Sequence, residues 1–295
     1  MKLFPRIYVE ITNSCNFNCS FCRKSNRDIR FMSKEEFKKI VEEIKEYTDL
    51  IMLHIKGEPL LHPELQSILE CAKMAKLKVN ITTNGSLMNK NLESLKTDSV
   101  RQLNISLHSI NEDKINSNID FDTYIKNIFD SVKILRKNNP NLYISYRLWN
   151  LKNISENSEN YNIISALEKE YKMKDLDVLA KENNFVELDS RIFLNQDVEF
   201  IWPSMDDEIV SETGRCLGLK EQIGILSDGR VVPCCLDQDG NVELGNIFNQ
   251  SFKSIIESDY FKEILNGFYS NRIIPELCKR CTYRLKFSKW KNLFI

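Results

Sequence analysis

Three cysteines near the start of the chain are spaced to hold an iron–sulfur cluster. Three residues separate Cys15 from Cys19, and two separate Cys19 from Cys22. Four thiolates occupy every iron of a [4Fe–4S] cube, so three close thiolates leave one iron open to an external ligand. A zinc site usually takes four protein ligands, and no fourth candidate lies nearby in the sequence. The spacing therefore predicts a cluster that binds a second molecule at its open iron.

A second group of cysteines lies in the last third of the chain. Two residues separate Cys278 from Cys281, while Cys216 and Cys234 lie far upstream of this pair. Together they make a complete four-thiolate set, which suits a second iron–sulfur cluster or, as the alternative, a structural zinc ion. Cys235 is the spare thiol, although the spacing also allows Cys234 and Cys235 to exchange roles.

Composition narrows the class of protein. The chain has 295 residues, is 42% hydrophobic and 28% charged, and carries a formal net charge of −1. This length suits one large α/β domain with a small appendage, and the charge gives no reason to expect nucleic acid as a partner. No apolar run is long enough for a membrane span and the start has no apolar signal segment, so we expect a cytoplasmic protein. Cys71 lies in a helical pattern and is expected to be a buried apolar residue.

Alternating strand and helix patterns precede the second cysteine group. Period-2 patterns predict six strands, at 6–12, 51–56, 79–83, 102–108, 142–149 and 187–194. Helices are predicted from Ser33, with Glu36 completing a capping box, from Pro63, and at 90–95, 125–135, 161–172 and 174–183. His62 is expected to be a helix-start residue, and 150–160 a surface loop.

This alternation implies a parallel sheet with right-handed crossovers. Six strand–helix units are too few for an eight-stranded barrel. We therefore predict an α/β fold, with a partial (β/α)6 TIM-like barrel over residues 1–212 and a small C-terminal α+β iron–sulfur module over residues 213–295.

Polar side chains fill the predicted interior of the barrel. Alternate residues of a strand face opposite sides of a sheet, which places inside the barrel Glu10, His54, Lys56, Asn104, Ser106, His108, Ser145 and Arg147. Unsatisfied buried polar groups cost roughly 1–3 kcal/mol each, so this number predicts polar ligands. Barrel sites open at the carboxyl ends of the strands, where the candidates for catalysis are His54, Lys56, His108 and Arg147. Arg147 also suits a carboxylate or phosphate.

The first cysteine motif, CxxxCxxC with the aromatic Phe21 before its third cysteine, resembles the signature of the radical S-adenosylmethionine (SAM) superfamily. Gly57, Glu58 and Pro59 are similar to the GGEP motif of that family, with Lys56 in place of the first glycine. Thr83 and Asn84, in a Thr-Thr-Asn-Gly turn, resemble a further element near SAM.

This resemblance implies a cofactor set. It implies a [4Fe–4S] cluster on Cys15, Cys19 and Cys22, with SAM chelated at the open iron and cleaved to a 5′-deoxyadenosyl radical. The implied SAM contacts are Phe21, Gly57, Glu58, Pro59, Thr83, Asn84, Ser106 and Arg147.

The C-terminal stretch resembles the SPASM/twitch extension found in some radical SAM enzymes. The full SPASM form carries seven cysteines and two auxiliary clusters, whereas this chain has enough for one, as in the shorter twitch form. The resemblance implies an auxiliary [4Fe–4S] cluster on Cys216, Cys234, Cys278 and Cys281.

Several reactions remain open within this family. The chain length, the 54–63 segment and the single auxiliary cluster resemble bacterial queuosine lyases, which release queuine from queuosine 5′-phosphate in queuosine salvage. In such an enzyme Arg147 and Lys56 would serve the phosphate. The alternatives are dehydrogenation of a cyclitol or sugar alcohol, peptide or sulfatase maturation, and a non-enzymatic iron–sulfur or zinc-binding protein. We expect a small polar substrate and a flavodoxin- or ferredoxin-like electron donor, without a membrane or direct nucleic-acid partner.

Overall fold

The computed structural model describes residues 2–113, 119–152, 160–199 and 201–287. The strands in these ranges are β1 Arg6–Val9, β2 Leu50–Leu53, β3 Lys78–Thr83, β4 Val100–Ser106, β5 Tyr143–Leu151, β6 Phe185–Asp189, β7 Ile192–Val198, β8 Gln222–Ile225, β9 Arg230–Val232 and β10 Gly245–Asn246. They form a single sheet in the order β10-β9-β8-β1-β2-β3-β4-β5-β7-β6.

Six of these strands form the partial barrel. β1 to β5 and then β7 pair in parallel, each with the next. The prediction of an α/β fold with a six-stranded partial TIM-like barrel is therefore confirmed. Parallel strands place their carboxyl ends at one rim, so the loops that follow them meet there.

The C-terminal region builds on the first strand of the barrel. β8 pairs in parallel with β1, from Arg6 opposite Gln222 to Val9 opposite Ile225. β9 pairs antiparallel with β8, and β10 with β9. The sheet therefore continues from the barrel into the C-terminal region, while the division at residues 212 and 213 stays a prediction.

The helices cover the outer face of the sheet. Their bounds are α1 Lys34–Ile44, α2 Leu65–Met74, α3 Leu92–Leu95, α4 Ser109–Glu112, α5 Phe121–Asn138, α6 Tyr161–Tyr171, α7 Leu176–Glu182, α8 Phe252–Ile256, α9 Asp259–Tyr269 and α10 Glu276–Lys279. Short 3₁₀ helices span Pro59–Leu61, Asn89–Asn91 and Tyr283–Phe287. No helix in the described ranges is both long and apolar enough to cross a bilayer.

The buried core confirms the period-2 and helical patterns. One face of each central strand is aliphatic and joins a core cluster with the helices, through Ile7, Val9, Ile51, Leu53, Val79, Ile81, Leu103, Ile105, Ile144 and Leu148. α1 presents Phe37, Ile40, Val41 and Ile44 to this core. Its predicted capping box is present, since Ser33 Oγ accepts from the Glu36 amide and the Glu36 carboxylate accepts from the Ser33 amide.

Three predicted strands end earlier than expected. β1 ends at Val9, β2 at Leu53 and β4 at Ser106. The residues beyond these ends include Ile11, Ile55 and Leu107, which are buried in turns. Buried turn residues extend the alternating pattern in the sequence although the strand ladder has stopped. Consequently Glu10, His54, Lys56 and His108 lie in loops at the barrel rim, and not on strands.

The predicted sixth strand at 187–194 is wrong, because this segment is a hairpin. β6 and β7 pair antiparallel across a turn in which Arg191 has φ of 59°. Leu188, Ile192 and Leu194 are all buried, so their spacing imitates one continuous strand. The sixth parallel strand is β7.

The start of the second predicted helix is wrong by two residues, whereas the predictions for His62 and Cys71 agree with the structure. The helix expected from Pro63 begins two residues later, at Leu65. His62 lies just before it, where its Nδ1 accepts from the Glu64 amide and its Nε2 contacts Met32 O at 2.9 Å. Cys71 is buried in α2 as expected. Most of the loop predicted at 150–160 falls outside the described residues, and β5 continues to Leu151.

Candidate active site and cluster-binding regions

The first three cysteines lie on one loop that follows β1 at the barrel rim. The Phe17 amide donates to Cys15 Sγ at 3.4 Å, and the Cys22 amide donates to Cys19 O at 3.1 Å. Cys19 Sγ lies 3.8 Å from Ser109 O at the start of α4. Burial raises the pKa of Cys15 to about 11 and that of Cys19 to about 12. These side chains are therefore thiols at neutral pH until a metal cation stabilises the thiolate.

The Gly-Glu-Pro segment packs directly against this cysteine loop. Gly57 has φ of +77°, and a Cβ built on it would lie 2.4 Å from Thr12 O and 2.8 Å from Ser14 O. The Glu58 amide donates to Ser14 O at 2.8 Å. A glycine is needed here both for its left-handed backbone and because the two loops touch through their backbones.

The Glu58 side chain joins the loops that follow β2 and β3. Its carboxylate accepts from the Leu60 amide at 2.9 Å, the Thr83 hydroxyl at 2.7 Å and the Asn84 amide at 2.7 Å. Burial raises the pKa of Glu58 to about 7, partly offset by these donors. Pro59 begins the 3₁₀ turn that this carboxylate caps. The Glu58 carboxylate thus contacts donors of the protein itself, and these contacts fix the Thr83–Asn84 turn.

Asn84 connects that turn to the first cysteine. Its Nδ2 donates to Asn16 Oδ1 at 3.0 Å and lies 3.9 Å from Cys15 Sγ. Asn16 in turn donates to Ser86 Oγ at 2.9 Å. Tyr124 of α5 donates its hydroxyl hydrogen to Asn84 O at 2.5 Å. The three motifs found in the sequence are therefore in contact with one another.

Lys56 points to the cysteine loop. Its Nζ lies 2.9 Å from Cys22 Sγ and also donates to Arg23 O. The ammonium lies 5.5 Å from the centre of the Trp202 ring. This arrangement differs from the expected one, in which Lys56 faced a substrate phosphate from the barrel interior.

His54 and Arg147 meet inside the barrel with Tyr8, which the sequence did not single out, and with Cys235, the spare thiol. The Tyr8 and His54 rings lie 5.4 Å apart, and the Cys235 thiol is hydrogen-bonded to the Tyr8 hydroxyl. The Arg147 guanidinium lies 4.3 Å from the centre of the Trp149 ring. Burial, together with the nearby Arg147 charge, lowers the pKa of His54 to about 3, and burial lowers that of Arg147 to about 10. At neutral pH the site holds a neutral imidazole and a charged guanidinium.

Two buried nitrogen atoms of these interior side chains, His54 Nδ1 and Arg147 Nε, lack hydrogen-bond partners within the described part of the chain. Buried polar atoms in folded proteins are nearly always satisfied, so each of these needs an explanation such as a bound ligand.

Asn104, deeper in the barrel, is hydrogen-bonded to neighbouring polar side chains. Asn104 Nδ2 donates to Thr82 Oγ1 at 3.2 Å and Asn104 Oδ1 accepts from Gln102 at 2.7 Å. Ser106 lies opposite Arg147 in the β4–β5 register, and Ser145 is buried below it.

Glu10 belongs to a separate ion pair. It is fully buried and both of its oxygens accept from Arg27 Nη2 at 2.7 Å, with Ser227 Oγ as a further donor at 2.9 Å. Its expected place among ligand-binding interior residues is not supported by these contacts, because protein donors occupy the carboxylate.

His108 lies at the start of α4, between the cysteine loop and β5. Its Nδ1 is 2.9 Å from Arg147 O and its ring is 4.9 Å from the Phe21 ring. The Trp149 amide also lies 3.4 Å from this Nδ1. The shorter contact is to a carbonyl oxygen, which only accepts, so it favours hydrogen on Nδ1 and leaves Nε2 as the basic nitrogen. Burial lowers the pKa of His108 to about 4, which keeps the ring neutral at pH 7.

The four C-terminal cysteines converge on one small cavity of about 30 Å³. Cys216, Cys234, Cys278 and Cys281 all line it, together with the buried Arg284. Cys235, by contrast, faces Tyr8 in the barrel. Among the residues described, no group of three or more His, Cys, Asp or Glu side chains meets the geometry of a single-ion site.

Sequence reasoning missed two basic residues of the C-terminal region, Arg284 and Lys286. Arg284 donates to Cys278 O at 3.1 Å and Thr213 O at 2.7 Å, which places a buried cation beside four thiols. Lys286 pairs with both oxygens of Asp197 on β7, at 2.8 and 2.9 Å. The contacts of Arg284 with Thr213 and of Lys286 with Asp197 join distant parts of the chain, and no local pattern identifies them.

Comparison with known proteins assigns the family. The model of the radical SAM superfamily matches residues 9–160, slightly more than half of the chain. This chain belongs to the radical SAM superfamily. The SPASM model, an iron–sulfur cluster-binding domain, matches residues 216–282. The predicted family, with its C-terminal auxiliary-cluster extension, is thus confirmed.

Relatives of this radical SAM chain include a probable GTP 3′,8-cyclase from Methanococcus maripaludis. The two are 26% identical over 268 residues, which cover 81% of this chain and 87% of the relative. Among solved structures, BtrN in complex with AdoMet and 2-DOIA has a TM-score of 0.60 at 17% identity, covering 95% of this chain and 94% of its own. Native anSMEcpe with bound AdoMet has a TM-score of 0.60 at 14% identity, covering 98% and 95%. These two structures share the fold.

The family determines the cofactors. A radical SAM protein with a SPASM domain uses a SAM-binding [4Fe–4S] cluster, an auxiliary cluster and SAM. When bound, the first cluster supplies the electron that cleaves SAM to a 5′-deoxyadenosyl radical. The donor sets fit: three thiols lie on one loop beside the Gly57 contact, and four others line one cavity with a buried cation.

Proposed function

We propose that this radical SAM enzyme abstracts hydrogen from a small phosphorylated nucleoside, and specifically that it releases queuine from queuosine 5′-phosphate. The observation that carries the proposal is the barrel interior, where Arg147 Nε and His54 Nδ1 are buried without partners in the described ranges. A ligand that is both anionic and rich in hydroxyl groups would satisfy both atoms.

The cluster ligands follow from the same geometry. We assign Cys15, Cys19 and Cys22 to the SAM-binding cluster, because they share the rim loop. We assign the auxiliary cluster to the cavity-lining set of Cys216, Cys234, Cys278 and Cys281. Of the two neighbours Cys234 and Cys235, Cys234 is preferred because it lines the cavity. The Cys235 thiol is instead hydrogen-bonded to the Tyr8 hydroxyl.

The SAM contacts are assigned to the loops that touch the cysteine loop. Gly57 and Pro59 are assigned to contact SAM through their backbone, and Glu58 holds Thr83 and Asn84 in place. Phe21 and Ser106 complete this set: Phe21 packs on His108, and Ser106 lies next to Arg147 across the strand pair.

Arg147 is assigned to the substrate phosphate. Its guanidinium is charged, the Trp149 ring supports its plane at 4.3 Å, and it lies opposite Ser106, the last residue of β4. Lys56 is not assigned to the phosphate, since its ammonium contacts Cys22 Sγ. A single guanidinium matches a monophosphate.

The two histidines are assigned to substrate contact. Both are neutral, and the nitrogens assigned to a substrate hydroxyl group are His54 Nδ1, which is buried without a partner in the described ranges, and His108 Nε2. The basic atom of His108 is Nε2, which makes it the candidate proton acceptor. We further propose cytoplasmic location and reduction by a flavodoxin- or ferredoxin-like protein.

A second candidate is cyclisation of a nucleoside triphosphate. It is favoured by the match to a probable GTP 3′,8-cyclase over 81% of the chain. The two candidates differ in phosphate charge, which makes them separable by substrate.

The test is a set of anaerobic incubations with reconstituted enzyme, SAM and a reductant. Queuosine 5′-phosphate and GTP are supplied separately, and queuine or a cyclised nucleotide is measured by mass spectrometry. Free queuine supports the proposal, whereas a cyclised product from GTP without queuine release overturns it in favour of the second candidate.

The Arg147 assignment is tested with Arg147→Met. We expect KM for the phosphorylated substrate to rise at least about tenfold, because a charge-assisted bond to phosphate is lost. Arg191→Met is the matched control, since Arg191 also stacks on an aromatic ring, Tyr143, at 4.9 Å but near the opposite end of the strands. A dephosphorylated substrate should abolish the difference between wild type and Arg147→Met.

A further inference from the structure

Lys56 occupies the position of the first glycine of the GGEP motif, and its side chain makes contacts that glycine cannot make. Nζ lies 2.9 Å from Cys22 Sγ, donates to Arg23 O, and faces the Trp202 ring at 5.5 Å. The ammonium is thus surrounded by one sulfur, one carbonyl and one aromatic face, all of which stabilise a cation.

The backbone on both sides directs Lys56 to this place. β2 ends at Leu53, three residues earlier. Gly57, the next residue, is fixed against Thr12 O and Ser14 O by its +77° φ and the close loop contact. Lys56 therefore leaves the backbone beside the cysteine loop, and Cys22 is within its reach.

The contact with Cys22 differs in kind from the contacts of the other two rim cysteines. Cys15 Sγ accepts from the Phe17 amide at 3.4 Å and has Asn84 Nδ2 at 3.9 Å, and both donors are neutral. Cys19 Sγ lies near a carbonyl oxygen. Within the described part of the chain, Lys56 is the residue that brings a full positive charge into contact with one of these three sulfurs.

We propose that Lys56 tunes the SAM-binding cluster by donating a charged hydrogen bond to the Cys22 sulfur. Reduction potentials of iron–sulfur clusters depend on net charge and on hydrogen bonds to the sulfurs. One-electron reduction adds negative charge to the cluster and its thiolates, so a cation at Cys22 favours the reduced form and raises the midpoint potential. Lys56 acts through Cys22 as a tuning residue, and this role holds for any substrate.

Four variants of the full-length, reconstituted protein separate charge from hydrogen bonding. Lys56→Met removes both, Lys56→Gln keeps a neutral donor, and Lys56→Arg keeps both. Lys24→Met is the matched control, because Lys24 is an exposed lysine of the same loop, two residues from Cys22. Each protein is titrated with a reductant while electron paramagnetic resonance follows the reduced clusters, and the signal that changes on adding SAM is assigned to the first cluster.

We expect Lys56→Met to lower the reduction equilibrium constant of the SAM-responsive cluster by about tenfold or more, equivalent to about 59 mV for a one-electron couple. Lys56→Gln should shift it by less, Lys56→Arg should resemble wild type, and Lys24→Met should change nothing. The auxiliary cluster should keep its midpoint in all four variants.

An unchanged midpoint in Lys56→Met overturns the proposal, as does an equal shift in Lys24→Met, which would indicate general charge and not the Cys22 contact. A raised KM for substrate with an unchanged midpoint also overturns it and returns Lys56 to substrate binding. If Lys56→Met takes up less iron than wild type, the comparison of Lys56→Gln with Lys56→Arg decides, and equal midpoints there overturn the proposal.

Discussion

Replacing Gly57 by alanine tests whether the contact between the two rim loops positions the first cluster. The new Cβ would lie 2.4 Å from Thr12 O, and the neighbours at this distance are backbone atoms. The loops must separate by about 0.6 Å to restore even a 3.0 Å contact. Left-handed backbone adds roughly 1–2 kcal/mol of strain for a non-glycine residue.

Gly85→Ala is the matched control for this strain. Gly85 also has a positive φ, +82°, but its Cβ would meet the end of the Ile128 side chain at 2.6 Å. A flexible side chain can rotate away, whereas the backbone of residues 12–14 leads directly into Cys15. Both variants should therefore lose similar stability, while only Gly57→Ala should displace the cysteine loop.

A displacement approaching 1 Å near a reacting centre can cost about 100-fold in rate. We expect Gly57→Ala to form 5′-deoxyadenosine from SAM at least about tenfold more slowly than wild type. Gly85→Ala should stay within a few-fold of wild type. Rates and iron content are measured anaerobically on the same samples. Equal rate losses in the two variants, or a wild-type rate in Gly57→Ala, would refute the positioning argument.

Three further predictions concern other parts of the site. Cys234→Ser should lose about four irons and Cys235→Ser should keep them, if the cavity-lining cysteine holds the auxiliary [4Fe–4S] cluster; the reverse pattern would exchange the two roles. Burial lowers the pKa of His108, so this residue's own contribution to the unfolding free energy should fall by about 2 kcal/mol between pH 7 and pH 5, where the unfolded chain takes up its proton. The difference in urea-unfolding stability between wild type and His108→Asn should change by this amount over that range, and a constant difference would contradict the buried neutral ring. Thr83→Val should cost about 1–3 kcal/mol of unfolding free energy, because the Gly85 amide loses its acceptor and Glu58 loses a donor; a neutral effect would remove Glu58 from its bridging role.

The sequence predicted the barrel because each central strand buries one aliphatic face. Ile7 with Val9, and Leu103 with Ile105, give a period-2 pattern that depends only on neighbouring residues. Strand ends were less predictable, since Ile55 is buried in a turn and extends the pattern. The pairing of β8 with β1 joins segments more than 200 residues apart, and local periodicity contains no information about such a pairing.

The cysteine motifs were predictable because their chemistry fixes residue type and short spacing. The direction of a long side chain is not fixed in this way. Lys56 was expected inside the barrel, but its position in a turn before Gly57 directs it to Cys22. Likewise the spacing could not distinguish Cys234 from Cys235, and only the fold places one at the cavity and the other at Tyr8.

The assignment of two [4Fe–4S] clusters, with SAM cleaved at the first, is tested most directly by measuring iron content and SAM cleavage in the same anaerobic samples. Wild type is compared with the triple variant Cys15→Ala, Cys19→Ala and Cys22→Ala. We predict about eight irons in wild type and about four in the variant, as two [4Fe–4S] clusters require. Wild type should form 5′-deoxyadenosine from SAM after reduction, and the variant should form none. Zinc in place of iron in the wild-type protein, or deoxyadenosine formation that persists in the triple variant, would contradict this assignment.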